Sequence, residues 1–198
     1  MKLYYTQRSP YARKVIVTAI EKDIPLELIS EDLAKKSPAL LAANPLGKIP
    51  TLVLDNGQVI VDSPVICEYL EHLKPELRMI PQDVTRKFHL LHIAAIADGV
   101  MESAIAAYME KQRHPESFHP KFVENQEQAI LRSYAYLETQ LKFLSELNIA
   151  SIAVACAIGY VNLRLPQLGP QNHNIAVAKW FEEFSKRPSM QKTIPVVS

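Results

Sequence analysis

The sequence predicts an α/β N-terminal domain followed by an all-α domain. Three observations carry this. Residues 1–80 alternate short apolar strands with helical stretches. Asp55-Asn56-Gly57, set between two apolar runs, is a hairpin signal. Beyond Pro81 no strand pattern appears, and apolar residues recur at helical spacing.

Each element has its own justification. Residues 2–5 read as a strand. Residues 10–22 read as a helix, with Ser9 as N-cap and Pro10 at the first helical position. Residues 26–29 form a second strand, and residues 33–43 a helical stretch broken by Asn44-Pro45. Strands at 51–54 and 58–61 flank the hairpin turn. A helix over 63–73 follows, with Ser63 as cap and Pro64 at its first position. The order is βαβαββα. Its βαβ unit requires parallel strands and a right-handed crossover, and the hairpin adds antiparallel ones.

Pro75 and Pro81 bracket a connecting segment. The expected division is a first domain over 1–76, a linker over 77–84 and a helical domain over 85–198. Residues 85–111 and 121–147 carry apolar side chains at helical spacing, such as Phe88, Leu91 and Ala95, then Tyr134, Leu137, Leu141 and Leu144. Arg113-His114-Pro115 separates them. Residues 151–165 are so apolar that a helix buried on most faces is expected, capped by Ser151. A last helix over 174–186 stops at Arg187-Pro188.

Composition narrows the function classes. The chain has 198 residues, 48% hydrophobic and 22% charged, an ordinary globular balance. Its 22 basic and 21 acidic residues give a net charge of +1, without the basic excess of a nucleic-acid binder. No continuous apolar run reaches the ~20 residues of a membrane span, and residues 1–7 lack the apolar stretch of a secretory signal. A cytoplasmic protein is the expectation, with no membrane or nucleic-acid partner. Cys67 and Cys156 sit in apolar surroundings and are expected to be reduced and buried. No Cys/His cluster has metal-ligand spacing.

Three local features carry chemistry. Ser9-Pro10-Tyr11-Ala12-Arg13-Lys14 puts a hydroxyl at a helix start, where free N–H groups favour anions and a hydroxyl can donate to a thiolate. The plainer alternative is a capping serine. Asn44-Pro45-Leu46-Gly47-Lys48-Ile49-Pro50-Thr51-Leu52 leads into a strand. A cis Ile49–Pro50 bond would leave the Ile49 N–H and C=O free to pair with an extended peptide; the alternative is an ordinary loop with a solvated Lys48. Asp62-Ser63-Pro64 sets a carboxylate beside a helix start, suited to the ammonium and carboxylate of a γ-glutamyl group. The alternative is again a simple helix start.

Taken together, these motifs in this order, with the helical tail, resemble the cytosolic glutathione transferase superfamily, in particular its bacterial serine-type members related to the beta, zeta and omega groups. Ile152-Ala153-Val154-Ala155-Cys156-Ala157-Ile158-Gly159-Tyr160 resembles the core helix of that family's second domain, and Arg187-Pro188-Ser189 its ending. The resemblance implies a thioredoxin-like first domain. It implies that Ser9 contacts the glutathione sulfur and that Ile49, followed by cis Pro50, pairs with the cysteinyl backbone. Asp62 and Ser63 would hold the γ-glutamyl end, and Lys48 the glycyl carboxylate. Arg13 is expected to form a structural ion pair. Tyr11, Met101, Ala104, Ile105 and Tyr108 are candidate walls for a hydrophobic electrophile between the domains. The last four follow helical spacing, so core or dimer packing is their alternative. Glutathione is the implied co-substrate, no tightly bound cofactor is expected, and a homodimer is.

Two details depart from the family pattern or bear on its variants. Val154 stands where an Asp often completes the capping motif of the core helix. Tyr4 and Tyr5 end the first strand, where tyrosine-type members place their catalytic hydroxyl; Ser9 is preferred because it sits directly at the helix start. Among rival functions, thiol–disulfide exchange lacks a nucleophile, since the position a cysteine would occupy holds Ser9. A non-catalytic binder of the same fold, or a glutathione-dependent isomerase or dehalogenase, remains the alternative.

Overall fold

A computed structural model describes residues 1–195. Strands β1 (Lys2–Tyr5), β2 (Glu27–Ser30), β3 (Thr51–Val53) and β4 (Val59–Val61) form one sheet in the order β2-β1-β3-β4. β1 and β2 are parallel, joined through α1 (Pro10–Glu21); β1–β3 and β3–β4 are antiparallel. Helices α2 (Pro38–Ala43) and α3 (Ser63–Leu73) complete the expected thioredoxin-like βαβαββα order.

The rest is helical: α4 (Val84–Arg113), α5 (Pro120–Thr139), α6 (Leu141–Leu144), α7 (Ile149–Arg164), α8 (Pro170–His173), α9 (Ile175–Ser185) and α10 (Pro188–Lys192). α7 is buried along most of its length, as its composition predicts. One continuous apolar core runs from Leu3, Val15, Leu52 and Ile66 through Ile93 and Met101 to Val154 and Ile158. α4 is long and apolar enough to cross a membrane by length and composition, which no continuous apolar run in the sequence suggested. Its buried residues, including Leu90, Ala97, Met101 and Ala104, belong to that core.

Helix starts differ from expectation in instructive ways. α2 begins at Pro38, not residue 33, because Ser37 is extended (ψ 148°) and its hydroxyl accepts from Leu40 N at 3.1 Å. A residue preceding proline is disfavoured in helical geometry. α3 is capped by Asp62, not Ser63, which is its first helical residue. α7 is capped by Asn148, not Ser151. The Asn148 Oδ1 accepts from Ala150 N and Ser151 N at 3.0 Å, and Ser151 Oγ accepts from Asn148 N at 2.9 Å. The reciprocal capping box is therefore complete, with a serine at its third position, and Val154 plays no part in it. The helical stretch expected over 121–147 breaks at Gln140 into α5 and α6.

Between α3 and α4, the connecting segment is fastened by a buried ion pair. Lys22 Nζ lies 2.7 Å from Glu71 Oε2 and donates to the carbonyls of Lys74 (2.9 Å) and Leu77 (2.6 Å). Glu71 in turn accepts from the N–H groups of Met79 and Ile80.

Candidate active site

The sheet register brings the three motifs together. Tyr4 on β1 pairs with Thr51 on β3, which pairs with Val61 on β4. The loop leaving β1 toward Ser9, the Ile49-Pro50 loop entering β3 and the Asp62-Ser63 turn leaving β4 thus emerge from one end of the sheet.

Ser9 is the N-cap of α1, with extended backbone (φ −76°, ψ 117°). Its Oγ accepts from Ala12 N at 3.1 Å. That bond uses a lone pair and leaves the hydroxyl proton available for donation. The Arg13 N–H donates to the Ser9 carbonyl, and the Tyr11 N–H makes no hydrogen bond among the described residues. Capping and donation to a ligand are therefore compatible on one hydroxyl.

The Ile49–Pro50 peptide is cis. Neither the Ile49 N–H nor its C=O is hydrogen-bonded among the described residues. The loop is braced by buried Asn44, whose Nδ2 donates to Lys48 O and to Thr51 Oγ1 (both 3.0 Å) and whose Oδ1 accepts from Leu46 N (3.0 Å). Gly47 turns this loop at φ +56°, where a side chain would be strained. Lys48 is exposed, and its carbonyl, not its ammonium, is engaged in the loop.

Asp62 adopts φ 72°, ψ 132°, a conformation that L side chains rarely take. Such outliers cluster at functional sites. Its Oδ1 accepts from Ser63 N at 2.8 Å, so that N–H is already engaged. The Ser63 Oγ is buried without a hydrogen-bond partner among the described residues. A buried orphan hydroxyl beside a carboxylate is the arrangement a zwitterionic ligand end would satisfy.

α4 contributes a residue the sequence did not single out. Lys14, only 2% exposed, forms an ion pair with Asp98, Nζ to Oδ1 2.6 Å. The Tyr11 hydroxyl donates to the Asp98 carbonyl at 3.4 Å. Burial, then Asp98, Glu102 and Asp62, push the Tyr11 phenol well above its ordinary range, so it stays protonated as a donor. An acid set in an apolar run, Ala-Ile-Ala-Asp98-Gly, was the available signal.

Of the other wall candidates, Ile105 and Tyr108 are partly buried, while Met101 and Ala104 are fully buried in the core, offering no surface to a ligand. Arg13 makes no ion pair among the described residues; it donates to Thr193 Oγ1 (3.2 Å) and to the Met190 carbonyl (3.1 Å). Burial raises both cysteine thiols, Cys156 to about 11, so neither supplies a thiolate near neutrality. Both are free. Among the described residues no three His, Cys, Asp or Glu side chains are grouped to hold a metal ion.

Comparison with known proteins places the whole chain in a family. Residues 3–78 match the family model "Glutathione S-transferase, N-terminal domain". The chain is 33% identical to the uncharacterized GST-like protein YibF of Escherichia coli (strain K12), over 98% of both chains. A glutathione transferase family member from Pseudomonas fluorescens Pf-5, solved with bound S-(propanoic acid)-glutathione, shares 39% identity over 100% of both chains at a TM-score of 0.90. A glutathione S-transferase from Methylobacillus flagellatus KT with GSH bound shares 37% identity over 98% of this chain and 99% of that one, at a TM-score of 0.92. Three loops converging on a capped helix start, in a chain alike over its whole length, lead to one conclusion: the chain belongs to the glutathione S-transferase family.

Proposed function

We propose that the protein is a glutathione transferase that holds glutathione at the end of the sheet and activates it as a thiolate for attack on an electrophile. The observation that carries this is the Ser9 hydroxyl. It caps α1 with a lone pair and keeps its proton for a ligand.

A free thiol has a pKa of about 8.5 and is largely protonated near neutrality. Donation from Ser9, with the positive end of α1 behind it, favours the thiolate. A depression of about 2 units corresponds to ~2.7 kcal/mol, within the reach of a charge-assisted hydrogen bond and a helix dipole. The Ile49 N–H and C=O pair with the cysteinyl backbone in this reading. Asp62 takes the γ-glutamyl ammonium, the Ser63 hydroxyl its carboxylate, and Lys48 the glycyl carboxylate. Tyr11, Ile105 and Tyr108 line the electrophile's side. The S-substituted glutathione bound by the Pseudomonas relative supports a conjugating reaction. Two free thiols fit a cytoplasmic home. A homodimer is part of the proposal: Val65, Val84 and Phe88 are exposed around the Lys87–Glu68 pair that links α3 and α4.

The test is the ultraviolet absorbance of bound thiolate as a function of pH, in the wild type and in Ser9→Ala. The expected outcome is a thiolate near neutrality in the wild type and a titration displaced upward by one to two units in the variant. Glutathione that binds but stays protonated in both proteins would mean a carrier instead of an enzyme.

A further inference from the structure

Arg164, the last residue of α7, is partly buried beside Tyr108, a candidate wall of the electrophile's side. Its Nη1 donates to the Tyr108 hydroxyl at 3.2 Å, and the guanidinium carbon lies 4.6 Å from the Tyr108 ring centroid. Tyr160 lies one turn earlier on α7, near enough for the same guanidinium to oppose the upward push that burial gives its phenol. The Arg164 Nε is buried with no hydrogen-bond partner among the described residues. Among the described residues no carboxylate lies within 4.0 Å of it.

Burial pushes the Tyr160 phenol further from ionising, so it brings no negative charge to this guanidinium. The terminal carbonyls of α7 offset part of the positive charge. The rest has no counter-ion among the described residues, and a partly desolvated cation with an unsatisfied donor is costly unless a partner arrives. The cluster also neighbours the start of α1. Tyr160 lies within electrostatic range of Tyr11 on the first turn of α1 and of Arg8, which precedes Ser9.

We propose that Arg164 is the anion receptor of the electrophile's half of the site, so that the second substrate carries a carboxylate. The proposal rests on the transferase reading above. A planar carboxylate matches the guanidinium fork, with the free Nε–H as one donor. Tyr108 holds the fork by its hydroxyl and its ring face. A purely apolar electrophile would leave that donor unsatisfied. This refines the expectation of a hydrophobic second substrate: the apolar walls receive the body of the molecule and Arg164 its charged end.

The test compares two matched electrophiles, 4-chloro-3-nitrobenzoate and 4-chloro-3-nitrobenzamide. In both, the glutathione sulfur forms a bond to the ring carbon bearing chlorine, and chloride leaves with the C–Cl electron pair. The readout is the ratio of kcat/KM for the benzoate to that for the benzamide, in the wild type, Arg164→Gln and Arg164→Lys. The ratio is expected to fall about 10- to 100-fold in Arg164→Gln, the range of a charge-assisted hydrogen bond. Arg164→Lys, which keeps the charge at the helix end, is expected to fall in between. An unchanged ratio in both variants would overturn the proposal and leave Arg164 a helix-end residue. Failure of the transferase reading looks different: neither compound is turned over by the wild type. Titration of 3-nitrobenzoate into the glutathione-loaded proteins then decides, since an anion receptor predicts at least tenfold weaker binding in Arg164→Gln and equal binding overturns it.

Discussion

Lys14 Nζ lies 2.6 Å from one oxygen of Asp98 and 2.8 Å from the other, joining α1 of the thioredoxin-like domain to the long helix α4. The lysine is 2% exposed and the aspartate 22%. Removing one partner leaves a buried charge without compensation, whereas removing both does not. Asp98→Leu is expected to lower the unfolding free energy by ~3–5 kcal/mol. The double variant Lys14→Met/Asp98→Leu should cost less than the sum of its singles. Denaturant unfolding of the four proteins as a double-mutant cycle checks this; additive losses would mean that the pair does not couple.

Asp62 sets stability against binding. Its positive φ costs on the order of 1–3 kcal/mol, which glycine would avoid. Loss of the cap to Ser63 N offsets only a few tenths of a kcal/mol when glycine is the replacement. Asp62→Gly is therefore expected to be as stable as the wild type or more so, while glutathione binding weakens about tenfold or more. Thermal unfolding and calorimetric titration on the same preparations read the two effects. A loss of both together would mean that Asp62 is simply a structural residue.

Glu21 makes acid stability pH-dependent. Arg187 donates from Nε and Nη2 to its two oxygens, each at 2.8 Å, and Ser189 also donates to it. Arg187, with help from Ser189, holds the Glu21 carboxyl below the ordinary glutamate range against the opposing effect of burial. As pH falls, the unfolded chain takes up this proton first, near pH ~4.3. The stabilisation is thus complete above that value and is lost as pH drops through the lower folded-state value. Urea midpoints of the wild type and Glu21→Gln should differ at neutral pH and converge in acid. A constant gap across that range would contradict the assignment.

Most of the frame was legible in the sequence because local chemistry and tertiary packing agree there. Ser9-Pro10 starts α1, Asp55-Asn56-Gly57 makes the hairpin, and the apolar stretch after Asn148 is buried as α7. The misplaced starts share a cause. At 62–63 and 148–151 two polar residues compete for the cap, and only the backbone geometry decides which side chain meets the free N–H groups. The loop positions Ile49, Asp62 and Ser63 could be read from their motifs. Asp98 and Arg164 could not, because each matters through partners 84 and 56 residues away. Met101 and Ala104 fit the wall pattern by spacing alone, and the same spacing serves the core that α4 shares with α7.

A hinge needs a few residues free to change φ and ψ. The stretch joining α3 to α4 has little such freedom, since the Lys22–Glu71 pair grips two of its carbonyls and two of its N–H groups. This connection therefore offers no ready hinge between the two halves. In the proposed reaction, choice among electrophiles then falls to the side chains around the site and not to domain closure. Changes of preference in this architecture are then a matter of resurfacing α4 and α7, with the frame left standing.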